Sequence, residues 1–155
     1  LSVAPRPVLP SWSAWIALGV SAIAITVVVQ AAPRALGWIA AACAAGYVGA
    51  QLGTSWLGGR GDPVGAQLGV VVGAFALAIL ANVYARVLDR PAQVVLVPAT
   101  FLLVPGSMGL RGMTSLLDRN TVTGIDTMFA MFLTAMAIVA GMLIANATLS
   151  PRRVL

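Results

Sequence analysis

The chain has 155 residues, of which 60% are hydrophobic and only 8% are charged, and it carries a net charge of +5. Soluble domains carry roughly 25% charged residues, so this composition and a mean hydropathy of +0.99 exclude a soluble globular protein and indicate an integral membrane protein. All positive charges are arginines scattered between apolar blocks, which indicates membrane topology rather than a nucleic-acid surface.

The residue content also argues against an enzyme. The chain has no histidine and a single cysteine, Cys43, so neither an internal disulfide nor a cysteine metal site is expected. Paired carboxylates, a glycine-rich phosphate loop and a metal-ligand cluster are likewise missing from the sequence. We therefore expect no cofactor, and we expect Cys43 to be a small buried apolar residue in a helix.

Both ends of the chain differ from its interior. Residues 1–11 contain three prolines and predict an extended linker, without the features of a signal peptide. Residues 151–155 form a short basic tail, and residues 12–150 are predicted to be one transmembrane domain. Because the chain does not start with methionine, we expect that another segment of a longer polypeptide precedes it.

Three apolar spans follow the linker. The first is predicted from Trp12 to Ala31, with Trp12 and Trp15 as interfacial anchors, and the second from Ala35 to Trp56. The third is predicted from Val64 to Tyr84. Small residues recur at four-residue spacing in the second and third spans, a pattern that lets helix backbones approach closely in lipid. These positions are Ala41, Ala45, Gly49 and Gly53 in one span and Gly65, Gly69 and Gly73 in the other.

Pro98, Pro105 and Gly106 interrupt the fourth apolar region, Val94–Leu117. Pro105 removes a backbone donor and Gly106 allows the chain to leave helical geometry at little cost. Non-helical backbone inside a membrane persists only where protein or a water-filled cavity satisfies its polar groups. Broken helices of this kind mark the substrate site in many transporters. We therefore predict two half-helices joined near Pro105 and Gly106, with an ordinary kink as the alternative.

A fifth span, Thr123–Leu149, completes an all-α polytopic helix bundle of about five transmembrane helices. The count becomes four if the fourth region re-enters the membrane instead of crossing it. With five spans, one side of the membrane receives Arg6, Arg60 and Arg119, and the other receives Arg34, Arg86, Arg90, Arg152 and Arg153. The positive-inside rule then predicts a cytoplasmic C-terminus and an external N-terminus.

Two segments resemble a known family. They are PRALGW (Pro33–Trp38), which precedes the second span, and VPATFLLVPGSMGLRGM (Val97–Met113), which contains the proline–glycine break. With the five-span layout they are similar to the C-terminal membrane domain of the threonine/serine exporter family. The resemblance implies export of threonine and serine, or of small dicarboxylates in split two-subunit relatives. It also implies a bacterial plasma membrane location and a second membrane domain or subunit, or a homo-oligomer, as partner.

Five residues are candidates for binding such a solute. Pro105 and Gly106 form the break, and Ser107 is predicted to cap the half-helix that follows, whose N-terminus would attract a carboxylate. Arg111 is either a carboxylate partner or a side chain that reaches the membrane surface. Asp126 is either a functional membrane carboxylate or the third position of a capping box that begins at Thr123. Because two opposite charges at matched depth should pair, we expect Arg111 and Asp126 to lie together.

Other polar groups in the spans have two readings as well. They line a transport path or form hydrogen bonds between helices, and they are Asn82, Asn146, Thr100, Thr114 and Gln67. The sequence therefore predicts a transport subunit or half-transporter for small amino acids or related carboxylates. The alternative is a non-transporting scaffold subunit that packs against another membrane protein. Lipid is an expected partner in either case, and nucleic acid is not.

Overall fold

The computed structural model describes residues 11–28, 30, 35–57, 63–104 and 106–150, and within these ranges it contains α-helices and no strand. The predicted linker up to residue 10 and the basic tail lie outside the described residues, as does Pro105. The six helices are α1 (Ser11–Val28), α2 (Leu36–Leu57), α3 (Pro63–Leu88), α4 (Gln93–Leu103), α5 (Gly106–Leu117) and α6 (Thr121–Thr148). The all-α prediction is confirmed, and α3 continues one turn beyond its predicted end at Tyr84.

The centre of the fold is the antiparallel pair α2–α3, which the small residues bring into backbone contact. A Cβ atom on Gly53 would lie 2.7 Å from the Gly69 Cα, and one on Gly73 would lie 2.6 Å from the Gly46 carbonyl oxygen. The predicted packing role of the glycines is thus confirmed. The first part of the row on α2 is shifted by one position from the prediction, because Ala41 is exposed and Ala45 half-buried, whereas Ala42 and Gly46 are buried. Spacings of three and four residues alternate there, as 3.6 residues per turn requires.

Helices α4 and α1 cover one side of this pair. Ile39, Cys43, Leu77 and Val95 are fully buried where α2, α3 and α4 meet, so the predicted burial of Cys43 is confirmed. Helix α1 packs on α2 and α4 through Leu18 and Ala22. The buried hydroxyl of Thr26 donates to the Ala22 carbonyl at 2.6 Å, which satisfies a polar group that lipid could not.

Helix α6 packs on α3. A Cβ atom on Gly141 would clash with the Val71 carbonyl oxygen, so the two backbones lie in direct contact. At the C-terminal end of α6, the buried Asn82 amide donates to the Asn146 Oδ1 at 3.0 Å and to the Leu149 carbonyl at 2.7 Å. The Arg86 guanidinium donates to the Ser150 carbonyl at 2.8 Å. These bonds satisfy carbonyls that a helix C-terminus leaves without partners, and they confirm an interhelical role for Asn82 and Asn146.

The helix lengths make this a multi-pass membrane protein. Three helices are long and apolar enough to cross a bilayer, at Leu36–Leu57, Gly65–Leu88 and Thr121–Thr148. Two shorter apolar stretches, Trp15–Val28 and Gln93–Leu103, accompany them in the described part of the chain. Large hydrophobic side chains are exposed along α1 and α6, Val28 and Phe129 among them, as expected for surfaces that face lipid. The total of five spans stays a prediction.

The fourth apolar region is two helices, as predicted. Helix α4 ends at Leu103, and Val104 takes an extended conformation with ψ of 125°. Helix α5 then starts at Gly106. The expected interruption at Pro98 is wrong, because Pro98 is buried inside α4 without ending it.

Candidate substrate groove

Helices α5 and α6 form a hairpin, hereafter the α5–α6 hairpin, and among the described residues α6 is the only helix with which α5 makes extensive contact. Glycines allow the approach on both sides. A Cβ atom on Gly112 would lie 3.1 Å from the Met128 Cγ, and one on Gly109 would lie 2.9 Å from the Met131 Sδ. On α6, a Cβ atom on Gly124 would lie 2.5 Å from the Leu116 Cδ2. The hairpin is therefore closed by side chains packed onto glycines.

The turn at residues 118–120 sets the alignment of the two helices. The Asn120 amide donates to the Ser115 carbonyl at 2.9 Å, and the Arg119 amide donates to the Leu116 carbonyl at 3.1 Å. Arg119 has φ of 60°. Together these features form a Schellman motif, in which the left-handed position is usually glycine. Because this motif ends α5, the next helix starts at Thr121 with Asn120 as its N-cap residue.

The start of α6 at Thr121 contradicts the predicted capping box. Thr123 lies inside α6, not at its N-cap, and α6 has no acidic residue in its first turn. The Thr123 hydroxyl instead donates to the Asn120 Oδ1 at 2.9 Å. Asp126 is therefore five positions into the helix, too deep to cap its first amides. The capping explanation for Asp126 is wrong, and its carboxylate is available for another role.

The two helices of the hairpin enclose a groove, hereafter the hairpin groove, with a volume of about 560 Å³. Its lining residues are Arg111, Thr114 and Ser115 on α5 and Thr123, Asp126, Thr127 and Ala130 on α6. Sites for small molecules span roughly 300–1,000 Å³, with a mostly apolar lining and a few polar anchors. The volume of the hairpin groove lies in this range, and its lining residues are more polar than usual, since Ala130 is the one apolar residue among the seven described.

Arg111 and Asp126 thus line one groove, although no salt bridge joins them. The predicted pairing fails because both side chains are exposed at the open side of the groove. Charge pairs between exposed side chains contribute little free energy, so the pair is not held together by burial. The described structure therefore presents one cation and one anion on opposite walls, both accessible to a solute.

Two hydroxyl groups of the groove lining, those of Thr127 and Thr114, have a defined hydrogen-bond direction. The Thr127 hydroxyl donates to the Thr123 carbonyl at 2.7 Å, and the Thr114 hydroxyl donates to the Arg111 carbonyl at 3.0 Å. A carbonyl oxygen only accepts, so each of these hydroxyls must use its single proton within its own helix. The predicted interhelical bonding of Thr114 is therefore wrong. Thr100 also bonds within its own helix, to the Leu96 carbonyl at 2.6 Å.

The remaining candidates lie at the start of α5. Pro105 is outside the described residues, and Gly106 is the first residue of α5. Ser107 is the second residue of that helix, so it is not the N-cap residue that was predicted. Residue 107 comes one helical turn before Arg111. The structure thus brings Arg111 and Asp126 to a single groove, whereas Gly106 and Ser107 are the first two residues of α5.

A periodic signal in the sequence pointed to several groove residues that our prediction missed. Arg111, Thr114 and Ser115 are spaced i, i+3, i+4, and so are Thr123, Asp126 and Thr127. This spacing places each set on one helix face. A short turn between two helices makes them antiparallel neighbours. Ser115, Thr127 and Ala130 were therefore within reach of sequence reasoning.

An apolar groove lies below the break. It has a volume of about 350 Å³ and is lined by Leu96, Val97, Thr100, Phe101, Val104 and Met142. Met131 of α6 contacts Gly109, which follows the break in the chain. Met142 of α6 lines this groove with residues that precede the break.

The comparisons with known proteins agree with this architecture. The family model described as Threonine/Serine exporter, ThrE, matches residues 14–148, a range that includes all of α2 to α6 and the hairpin groove. Comparisons with curated proteins and with solved structures give no significant match. Since the matched range covers most of the sequence, the chain belongs to the threonine/serine exporter family, whose members are membrane exporters rather than enzymes.

Proposed function

We propose that the chain is a transport subunit, or one half of a transporter, that exports small amino acids such as threonine and serine or related small carboxylates. The observation that carries this proposal is the placement of Arg111 and Asp126 on opposite helices of one groove. The α-carboxylate of an amino acid would bind the Arg111 guanidinium, and its ammonium would bind Asp126. A dicarboxylate would use Arg111 alone.

The accessibility of the groove supports a second membrane domain or subunit, or a second copy of this chain, as partner. Arg111, Thr114, Thr123 and Asp126 are all exposed. A transport site must exclude water from its charged anchors to bind a small solute strongly, because charge pairs are weak in water. The partner would close the open side of the hairpin groove. An inverted arrangement of two such units is common among secondary transporters.

Orientation follows the arginine distribution. We propose a bacterial plasma membrane location with the C-terminus in the cytoplasm, which places the hairpin turn and its groove near the outer surface. Single cysteines at Ser11 and Leu155, after replacement of Cys43 by alanine, test this with an impermeant thiol reagent in intact cells. Labelling at Leu155 but not at Ser11 would invert the orientation, and labelling at both would contradict an odd number of spans.

Two charge-neutralising variants test the proposed site. Arg111→Gln should impair transport of amino acids and dicarboxylates, whereas Asp126→Asn should impair amino-acid transport more strongly. The matched controls are Arg119→Gln and Asp118→Asn, which remove the same charges in the turn of the hairpin, outside the groove lining. Flux into proteoliposomes, with this chain alone and with a candidate second subunit, is the measurement.

The outcomes separate transport from scaffolding. Loss of flux in the groove variants and normal flux in the turn variants would support the proposed site. Full flux in both groove variants would contradict it. If the chain never changes flux but is needed to assemble the second subunit, the scaffold alternative is correct.

A further inference from the structure

The walls of the hairpin groove differ in what they offer a ligand. On α5, Arg111 offers only hydrogen-bond donors. On α6, Asp126 offers only acceptors, and Thr127 stands next to it in the same lining. Because the Thr127 proton is donated to the Thr123 carbonyl at 2.7 Å, the Thr127 oxygen has only lone pairs left for a ligand.

We infer that Thr127 is a specificity-determining residue that accepts a hydrogen bond from the ammonium group of the substrate and disfavours a second carboxylate. This inference rests on the proposed function, since it assigns selectivity to the same groove. It goes further by assigning selectivity to a neutral side chain beside the two charged ones. It also predicts which of the two substrate classes, amino acids or dicarboxylates, this chain prefers.

The physical argument concerns the third proton of the ammonium group. An ammonium has three donors, and a single carboxylate beside it leaves some of them without a partner. The half-buried Thr127 oxygen is held in place by its own helix, so it accepts without first ordering a flexible side chain. A carboxylate in the same place would face two acceptor groups, one of them negatively charged.

A carboxylate there has one way to avoid this repulsion from Thr127. The hydroxyl must rotate and give its proton to the ligand, which breaks the bond to the Thr123 carbonyl. Asp126 would still repel the carboxylate. Thr114 on α5 is committed in the same manner, to the Arg111 carbonyl. The groove therefore favours a ligand with one carboxylate and one ammonium group, which is the chemistry of an amino acid rather than a dicarboxylate.

Thr127→Val and Thr127→Ser are the decisive variants. Valine keeps the shape of threonine and removes the acceptor, whereas serine keeps the acceptor. We expect Thr127→Val to raise the threonine concentration needed for half-maximal competition by roughly 10-fold or more, as for loss of a hydrogen bond to a charged group. Succinate competition should be unchanged or improved, and Thr127→Ser should resemble the unmodified chain.

The control is Thr148→Val on the same helix. The Thr148 hydroxyl makes the same type of bond, to the Ile144 carbonyl at 3.1 Å, and Thr148 is not part of the groove lining. The assay is competition by L-threonine, L-serine and succinate for labelled threonine flux in proteoliposomes that contain the chain and its partner subunit. The ratio of threonine to succinate potency within each variant is independent of how much protein folds.

The result that supports the inference is a fall in this ratio for Thr127→Val alone. An unchanged ratio in Thr127→Val, or an equal fall in Thr148→Val, would overturn it. Failure of the proposed function gives a different pattern, in which Arg111→Gln and Asp126→Asn leave flux intact. If those variants reduce flux while the Thr127→Val ratio is unchanged, only the selectivity role of Thr127 is refuted.

Discussion

The α2–α3 pair and the α5–α6 hairpin are both packed on glycines, but the glycines meet different partners. In the α2–α3 pair, Gly73 lies against the Gly46 carbonyl and Gly53 against the Gly69 Cα. In the hairpin, Gly109 lies against the Met131 sulfur and Gly112 against the Met128 Cγ. The backbones of Gly112 and Gly124 also meet, but at 3.2 Å from the added Cβ to the carbonyl oxygen this contact is looser than those of the α2–α3 pair. Backbone atoms cannot move aside without moving a whole helix, whereas methionine adapts its rotamer. One region is therefore a rigid scaffold and the other is an adjustable unit.

This difference matters because the proposed substrate site lies entirely on the adjustable unit. Helix α5 depends on α6 for nearly all its packing, and it joins α4 through the break after Leu103. Elements that move in a functional cycle come from the less strongly packed parts of a protein. The break thus gives α5 a position that a continuous helix could not take.

Removing the break should have the largest effect. In Pro105→Ala combined with Gly106→Ala, we expect α4 and α5 to become one continuous helix, because alanine strongly favours helix. Arg111 would then leave its place beside Asp126, and transport should fall at least roughly 100-fold while membrane insertion persists. The matched control is Pro98→Ala, since Pro98 is a proline inside an unbroken helix. Normal flux in the double variant would reduce the break to a structural kink.

A glycine-to-alanine change should lower the free energy of unfolding more in the α2–α3 pair than in the α5–α6 hairpin. Gly73→Ala places a methyl group against the Gly46 carbonyl and should lower the free energy of unfolding by about 1–3 kcal/mol. Gly109→Ala meets a flexible methionine and should cost less than about 1 kcal/mol. Gly37→Ala is the control, because no atom lies within 4 Å of its added Cβ. Unfolding in a detergent series measures all three, and equal losses at Gly73 and Gly109 would contradict the comparison.

The smallest effect is expected at the hairpin turn. Arg119 holds φ of 60°, a conformation that costs a non-glycine residue about 1 kcal/mol. Arg119→Gly should therefore stabilise the hairpin by up to about 1 kcal/mol, partly offset by the greater freedom of glycine in the unfolded chain. Arg119→Ala removes the charge and keeps the strain, so it should not stabilise. The measurement is thermal unfolding of the two variants side by side. If Arg119→Gly and Arg119→Ala are equally stable, any gain over the unmodified chain comes from loss of the charge and not from relief of backbone strain.

Much of the fold was predictable from the sequence because lipid imposes a simple rule on each segment. A stretch that crosses the bilayer must be long, apolar and hydrogen-bonded within itself. Hydropathy alone therefore located the helices, and Pro105 with Gly106 predicted the break between α4 and α5. The buried Cys43 and the glycine packing followed from side-chain size and spacing within single helices.

Other features depended on how helices pack side by side, which hydropathy does not describe. The Schellman turn ends α5 at Leu117 and makes Asn120, not Thr123, the N-cap residue of α6. Likewise, the packing of α2 against α3 buries Gly46 and leaves Ala41 exposed. Both outcomes arise from a register between two helices, and each helix alone is compatible with several registers.

The hairpin groove also depends on how helices pack side by side. The sequence by itself determined that Arg111 and Asp126 flank one short turn, and that hydroxyl residues recur beside each of them. Only the tertiary structure decided that their faces line a common groove and that the two charges stay apart. The physical reason is that a helix carries its polar face at any rotation about its axis, and only packing against a neighbour determines that rotation.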